Sequence, residues 1–133
     1  PYLYSGPSPT ASLATVLAGL EVNDTRGDAL RADLYRKTKV VLDTVEKLGM
    51  QTPNESGLPI IELPLGNADD IDAVGEFLFS RGIYVTLAAY PLVPRDQVGF
   101  RIQVTASNTD EEIDELCEVL VDLHNKFEMR WAE

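Results

Sequence analysis

Residues 98–105 read Val-Gly-Phe-Arg-Ile-Gln-Val-Thr. Phe100, Ile102 and Val104 alternate with Arg101, Gln103 and Thr105, the period of a β-strand with one buried face. The stiff turn Pro91-Leu92-Val93-Pro94 precedes the run. Thr109-Asp110-Glu111-Glu112 follows it with the Thr-x-x-Glu form of a capping box, which starts a helix. Arg101 therefore stands on a strand. A guanidinium held there is a planar fork of donors matched to a carboxylate or phosphate. The same residue also reads as a solvated side chain on the open face of a sheet, and the strand alone leaves both readings open.

The remaining periodicities supply partners for that strand. Residues 1–8 are rich in turn formers. Ser8 and Pro9 then suit a helix start, and Leu13, Val16, Leu17 and Leu20 repeat at helical spacing over 9–22. Asn23-Asp24-Thr25 is expected to break this helix or to bend it. A longer amphipathic helix over 27–48 places Leu30, Leu34, Val41, Val45 and Leu48 on one face, with Gly49 ending it. Pro59 to Leu65 reads as a strand, Asp69 to Ser80 as a helix closed by Gly82, and Ile83 to Leu87 as a second strand. Ile113, Leu116, Leu120, Leu123 and Phe127 mark a long final helix. The order α-α-β-α-β-β-α predicts an α+β fold. Its sheet is small, mostly antiparallel and three- to four-stranded, with helices packed on one face.

Composition narrows the chemistry. The chain has 133 residues, 44% of them hydrophobic, enough for one domain with a real core. No apolar run approaches the ~20 residues that span a bilayer, and nothing resembles a signal peptide. A net charge of −11 argues against nucleic-acid binding. A lone cysteine, Cys117, fits the cytoplasm and is too few for a thiolate metal site. It reads as a packing residue of the last helix. His124 has no second histidine or nearby cysteine and reads as a surface residue. Asp69, Asp70 and Asp72 lack the glycine and terminal glutamate of a calcium loop. No phosphate-cradling glycine loop occurs. Lys37, Lys39, Lys47 and Lys126 read as ordinary surface residues of helices. No metal site and no self-contained catalytic set emerges, so an enzymatic role requires catalytic groups outside this chain. The first residue is Pro1, and the chain is expected to begin inside a longer protein.

The run from Gly82 to Asp114 resembles the C-terminal domain of the α-oxoamine synthases. It holds Gly82-Ile83-Tyr84-Val85-Thr86, then Pro91-x-Val93-Pro94, Phe100-Arg101-Ile102, Thr105-Ala106 and Thr109-x-Glu111-Glu112-Ile113-Asp114. These synthases belong to the class II aminotransferase group of fold-type I, pyridoxal-phosphate-dependent enzymes. Tyr4-Ser5-Gly6 is similar to the family's aromatic-Ser segment. Gly27, Arg31 and Leu34 fit the opening of its long helix, and Pro59-Ile60-Ile61 its first small-domain strand.

The resemblance implies a PLP-dependent acyltransferase that condenses an amino acid with an acyl-CoA or other acyl thioester, acting as a homodimer. It implies that Arg101 binds the amino acid's α-carboxylate and that Ser5 and Gly6 reach the cofactor phosphate of a neighbouring subunit. It also implies that residues 1–22 are a linker and interdomain helix following a PLP-binding large domain, and that 23–133 are the small domain. The Schiff-base lysine would lie upstream, so this piece alone would be inactive. Two positions depart from the family. Asn108 stands where a histidine is usual and reads as a turn or cap residue. Leu92 stands where the 8-amino-7-oxononanoate synthases carry a substrate-contacting threonine. An aminotransferase proper, a cofactor-free α+β binding or regulatory module and a homodimeric interaction domain are the alternative readings.

Overall fold

The computed structural model describes residues 6–131. The chain divides into two compact units, one reaching to Ala32 and one starting at Asp33. Helix α1 (Thr10–Lys47) contributes to both. In the first unit Leu13, Val16, Leu17 and Leu20 form an exposed apolar row. The helix runs unbroken through Asn23-Asp24-Thr25, so one helix replaces the two expected from the sequence. Side chains that usually compete with the helix backbone are satisfied along its surface here. Thr25 Oγ1 donates to the Glu21 carbonyl at 2.8 Å. Arg31 donates to Asn23 Oδ1 at 2.7 Å across the bare Cα of Gly27, and to Asp28 at 2.7 Å.

The second unit holds the sheet. Strands β1 (Ile60–Pro64), β2 (Thr86–Ala88) and β3 (Gly99–Gln103) are ordered β1-β3-β2, and both pairings are antiparallel. Ile61, Leu63, Phe100 and Ile102 turn to one face. There they join Val41 and Val45 of α1, Val74 and Leu78 of α2 (Ile71–Ser80), and Ile113, Leu120 and Leu123 of α3 (Asp110–Lys126) in one buried cluster. The α+β fold with helices on one face of a small antiparallel sheet is thus the one the periodicities call for. Gly99 is required by the β1–β3 approach, since a Cβ there would lie 2.2 Å from the Leu63 carbonyl oxygen. Gly49, at φ +68°, ends α1.

The second strand lies further along the chain than expected. Ile83 and Val85 alternate inward and pack against the core, but only residues 86–88 reach the ladder with β3. Alternation reports burial on one side, whereas strand pairing also requires a neighbour at hydrogen-bonding distance. Lys37 is also corrected. It is 6% exposed, with its stem packed down and its ammonium paired with Asp33 Oδ2. Lys37 first, then Arg36, holds the Asp33 carboxyl below its ordinary value. His124 is half-buried rather than a plain surface residue. Its ring meets Trp131 edge-on at 5.2 Å, and Nδ1 is buried without a partner.

After α3 the chain returns to the sheet. Met129 bridges Leu65 and Trp131 bridges Met50. The Arg130 amide donates to the Pro64 carbonyl at 3.1 Å, and the Arg130 carbonyl accepts from Gln51 at 2.7 Å. This segment therefore runs along the outer side of β1. No helix among the described residues is long and apolar enough to cross a membrane.

Candidate substrate-carboxylate site on the open sheet face

Because the pleat sends alternate side chains to opposite faces, burying Phe100 and Ile102 puts Arg101 and Gln103 on the other face. Residues directly opposite across a ladder share a face. Glu62 of β1 and Thr86 of β2 both pair with Arg101. A carboxylate, a guanidinium and a hydroxyl thus form one row across the three strands. Arg101 is partly buried. Its Nε lies out of contact with solvent and has no hydrogen-bond partner. Among the described residues no carboxylate lies within salt-bridge distance of its guanidinium. A buried donor left unpaired is costly, and the guanidinium keeps its hydrogen-bonding capacity unspent within the described residues.

The row borders a cavity of about 510 Å³. Leu87, Leu92 and Val93 form its apolar part, and Gln51, Asp96 and Arg130 add polar atoms. Pro94 opens a short 3-10 turn (Arg95–Gln97) that brings the loop back into β3. An Arg130 guanidinium nitrogen donates to the Asp96 carbonyl and ties that turn to the returning C-terminal segment. Arg95 lies over the Tyr90 ring, 5.0 Å from its centroid. The chemistry on offer is capture of an oxyanion by a fork of donors fixed on a rigid strand.

Of the residues expected to bind ligands, Arg101 lies at this cavity. Ser5 lies outside the described residues. Gly6 is exposed in the first unit with open space around it, and no cradle surrounds it among the described residues. Asn108 is a turn residue, as expected. Its Oδ1 accepts from the Thr105 amide at 2.8 Å and hydroxyl at 2.9 Å. Cys117 packs against the core, and burial raises its thiol above the ordinary value. Leu92 reaches the cavity and is 85% exposed. The sequence reading missed Glu62, Thr86 and Arg130. Alternation through Ile61, Leu63 and Leu65 marks Glu62 as outward-facing, but nothing local reveals which residue stands opposite it. Arg130 belongs to a segment without periodicity.

The aminotransferase class I and II family model matches residues 1–120. The chain belongs to that family. Among curated relatives, 8-amino-7-oxononanoate synthase 1 of Bacillus velezensis is 27% identical over 120 residues, which are 90% of this chain and 30% of the relative. The mitochondrial 2-amino-3-ketobutyrate coenzyme A ligase of Mus musculus is 27% identical over 92% of this chain and 29% of its own. The fold matches a serine palmitoyltransferase from S. paucimobilis solved with a bound PLP–myriocin aldimine. That match has a TM-score of 0.80 and 17% identity, covering 92% of this chain and 31% of the other. It also matches the 8-amino-7-oxononanoate synthase of Francisella tularensis with a TM-score of 0.76, 21% identity and 92% and 34% coverage. The chain thus spans about 30% of the length of the curated relatives it matches. Arg130 lies beyond the residues that the family model matches.

A covalent seat for a cofactor aldehyde requires a lysine at the cavity, and the described residues place none there. None of the four lysines lines the cavity. Lys37 pairs with Asp33 and Lys39 with Asp43. Lys126 sits over the Phe77 and Phe127 rings, and Lys47 is exposed on α1.

Proposed function

We propose that this chain is the substrate-binding small domain of a pyridoxal-phosphate-dependent acyltransferase of the α-oxoamine synthase type. The whole protein condenses an amino acid with an acyl thioester, and the cofactor is held by the part of the protein outside this chain. One observation carries the reading: Arg101, on the central strand, lines an open cavity with no carboxylate of the described residues paired to its guanidinium, and its buried Nε lacks a partner. The names of the relatives and the fold match point to the same chemistry. In this reading Arg101 grips the α-carboxylate through two parallel hydrogen bonds and fixes the orientation of the α-carbon's other substituents. Leu87, Leu92 and Val93 offer an apolar wall to that side of the bound acid.

The rest of the assignment rests on the sequence resemblance. It comprises a homodimer, phosphate contacts from Ser5 and Gly6, and a boundary near residue 22 between linker helix and small domain; the cytoplasmic location rests on the single cysteine. Light scattering on the full-length protein tests the dimer.

Titration of the full-length, cofactor-loaded protein with amino acids, followed by its visible absorbance, tests the central claim. Arg101→Ala is expected to weaken amino-acid binding by roughly ten- to a hundredfold, the scale of a lost charge-assisted hydrogen bond. Unchanged affinity would refute the assignment. Turnover of acyl-CoA rather than of a keto acid separates the synthase from an aminotransferase proper.

A further inference from the structure

The row across the sheet contains one group that carboxylate capture does not use. Glu62 is the Cα partner of Arg101 in the β1–β3 ladder and shares its face. Residues directly opposite in an antiparallel pair stand close, with Cβ atoms roughly 5 Å apart. Yet the two side chains form no ion pair, and Glu62 lines the same cavity with its carboxylate free of any hydrogen bond among the described residues. Thr86 lines it from the other side of Arg101. The arrangement differs from an ordinary cross-strand salt bridge, in which the acid would neutralise the base and close the site. Here the acid stands beside the base on the same face and leaves the guanidinium donors unused.

We infer that Glu62 selects the substrate. It accepts a hydrogen bond from a donor on the amino acid's side chain while Arg101 holds the α-carboxylate. The preferred class is therefore an α-amino acid whose side chain carries a hydroxyl or ammonium close to the α-carbon, rather than glycine or an aliphatic acid. In the proposed chemistry the α-nitrogen would be engaged by the cofactor and the new bond would form at the α-carbon, so the donor available to Glu62 is the one on the side chain. A carboxylate is the strongest acceptor among the ordinary side chains and offers no donor of its own when ionised. It therefore also disfavours acidic side chains by like-charge repulsion. Thr86 both donates and accepts, so it adds little discrimination of its own. The inference rests on the Arg101 assignment and adds the side-chain preference to it.

The test measures dissociation constants of full-length, cofactor-loaded protein for an isosteric pair, serine and alanine, by calorimetry and by visible absorbance. Wild type is expected to prefer serine by roughly tenfold, the scale of one hydrogen bond to a charged group. Glu62→Met removes the acceptor on an exposed strand position and should abolish that preference while leaving alanine affinity within about twofold. Glu62→Gln keeps an acceptor oxygen and should retain part of it. Matching thermal melts establish that both variants are folded. A serine preference unchanged in Glu62→Met overturns the inference, and so does a wild type that does not distinguish the pair. Arg101→Ala serves as the second arm. If it leaves both affinities untouched, the carboxylate assignment itself has failed. If it abolishes binding while Glu62→Met changes nothing, only the role of Glu62 has failed.

Discussion

Strand β3 carries two different kinds of information on its two faces. Phe100 and Ile102 are buried among side chains from all three helices, and their surroundings are complete within this chain. Arg101 sits between them in sequence, and its surroundings are incomplete, because Nε lacks a partner. One face of the strand is finished by folding, and the other leaves a guanidinium donor unpaired. Because Phe100, Arg101 and Ile102 alternate between those conditions, the packed face and the open face can be altered separately.

The largest effect should come from the finished face. Phe100 is 2% exposed, and Phe100→Ala removes a full aromatic side chain from a close-packed cluster. The expected loss is about 3–5 kcal/mol of unfolding free energy, read from urea denaturation, with failure to fold as the extreme outcome. A loss below about 1 kcal/mol would show that the packed face is looser than its burial implies.

A smaller effect should appear where α3 begins its path over the core. The Glu112 carboxyl lies below its ordinary value of 4.5, first because it accepts from the Thr109 amide and then because of Asn108. A carboxyl lowered by folding contributes stability that is present above its unfolded value and lost as pH falls through the folded one. Unfolding midpoints should therefore fall between about pH 5 and pH 3 by a share that Glu112→Gln removes. The open face should be indifferent to that share. An identical acid profile in the variant would assign the effect to other carboxylates.

The smallest effect should come from the unfinished face. Arg101→Met keeps the length of the stem and removes the unpaired charge, so unfolding free energy should stay within about 0.5 kcal/mol of wild type or rise slightly. A substantial loss would mean that the guanidinium supports the fold, and the contrast between the two faces would collapse.

The legible part of this architecture follows the same division. Alternation at 98–105 gave the inward and outward residues of β3 correctly, because the pleat makes that assignment local. The capping box was legible for the same reason: Thr109 and Glu112 satisfy each other within a single turn. The continuity of α1 was not. Asn, Asp and Thr cost only about 0.7 kcal/mol each in a helix, and bonds such as Thr25 to Glu21 and Arg31 to Asn23 offset it. In the candidate site, the outward placement of Arg101 was legible in its own strand, whereas its proposed role came from the resemblance. Glu62 and Thr86 were not placed beside it, because register is a property of two segments distant in sequence. The position of Arg130 depends on isolated bridges that leave no periodic trace.

The return of the chain beside β1 has a practical consequence. Residues 128–131 shield part of the rim of the sheet, and an uncovered rim is a template for adding strands from other molecules. Trimming the protein back to Phe127, by a protease or by design, should uncover that rim and promote polymerisation through β1, with turbidity and thioflavin binding rising before any change in helix content.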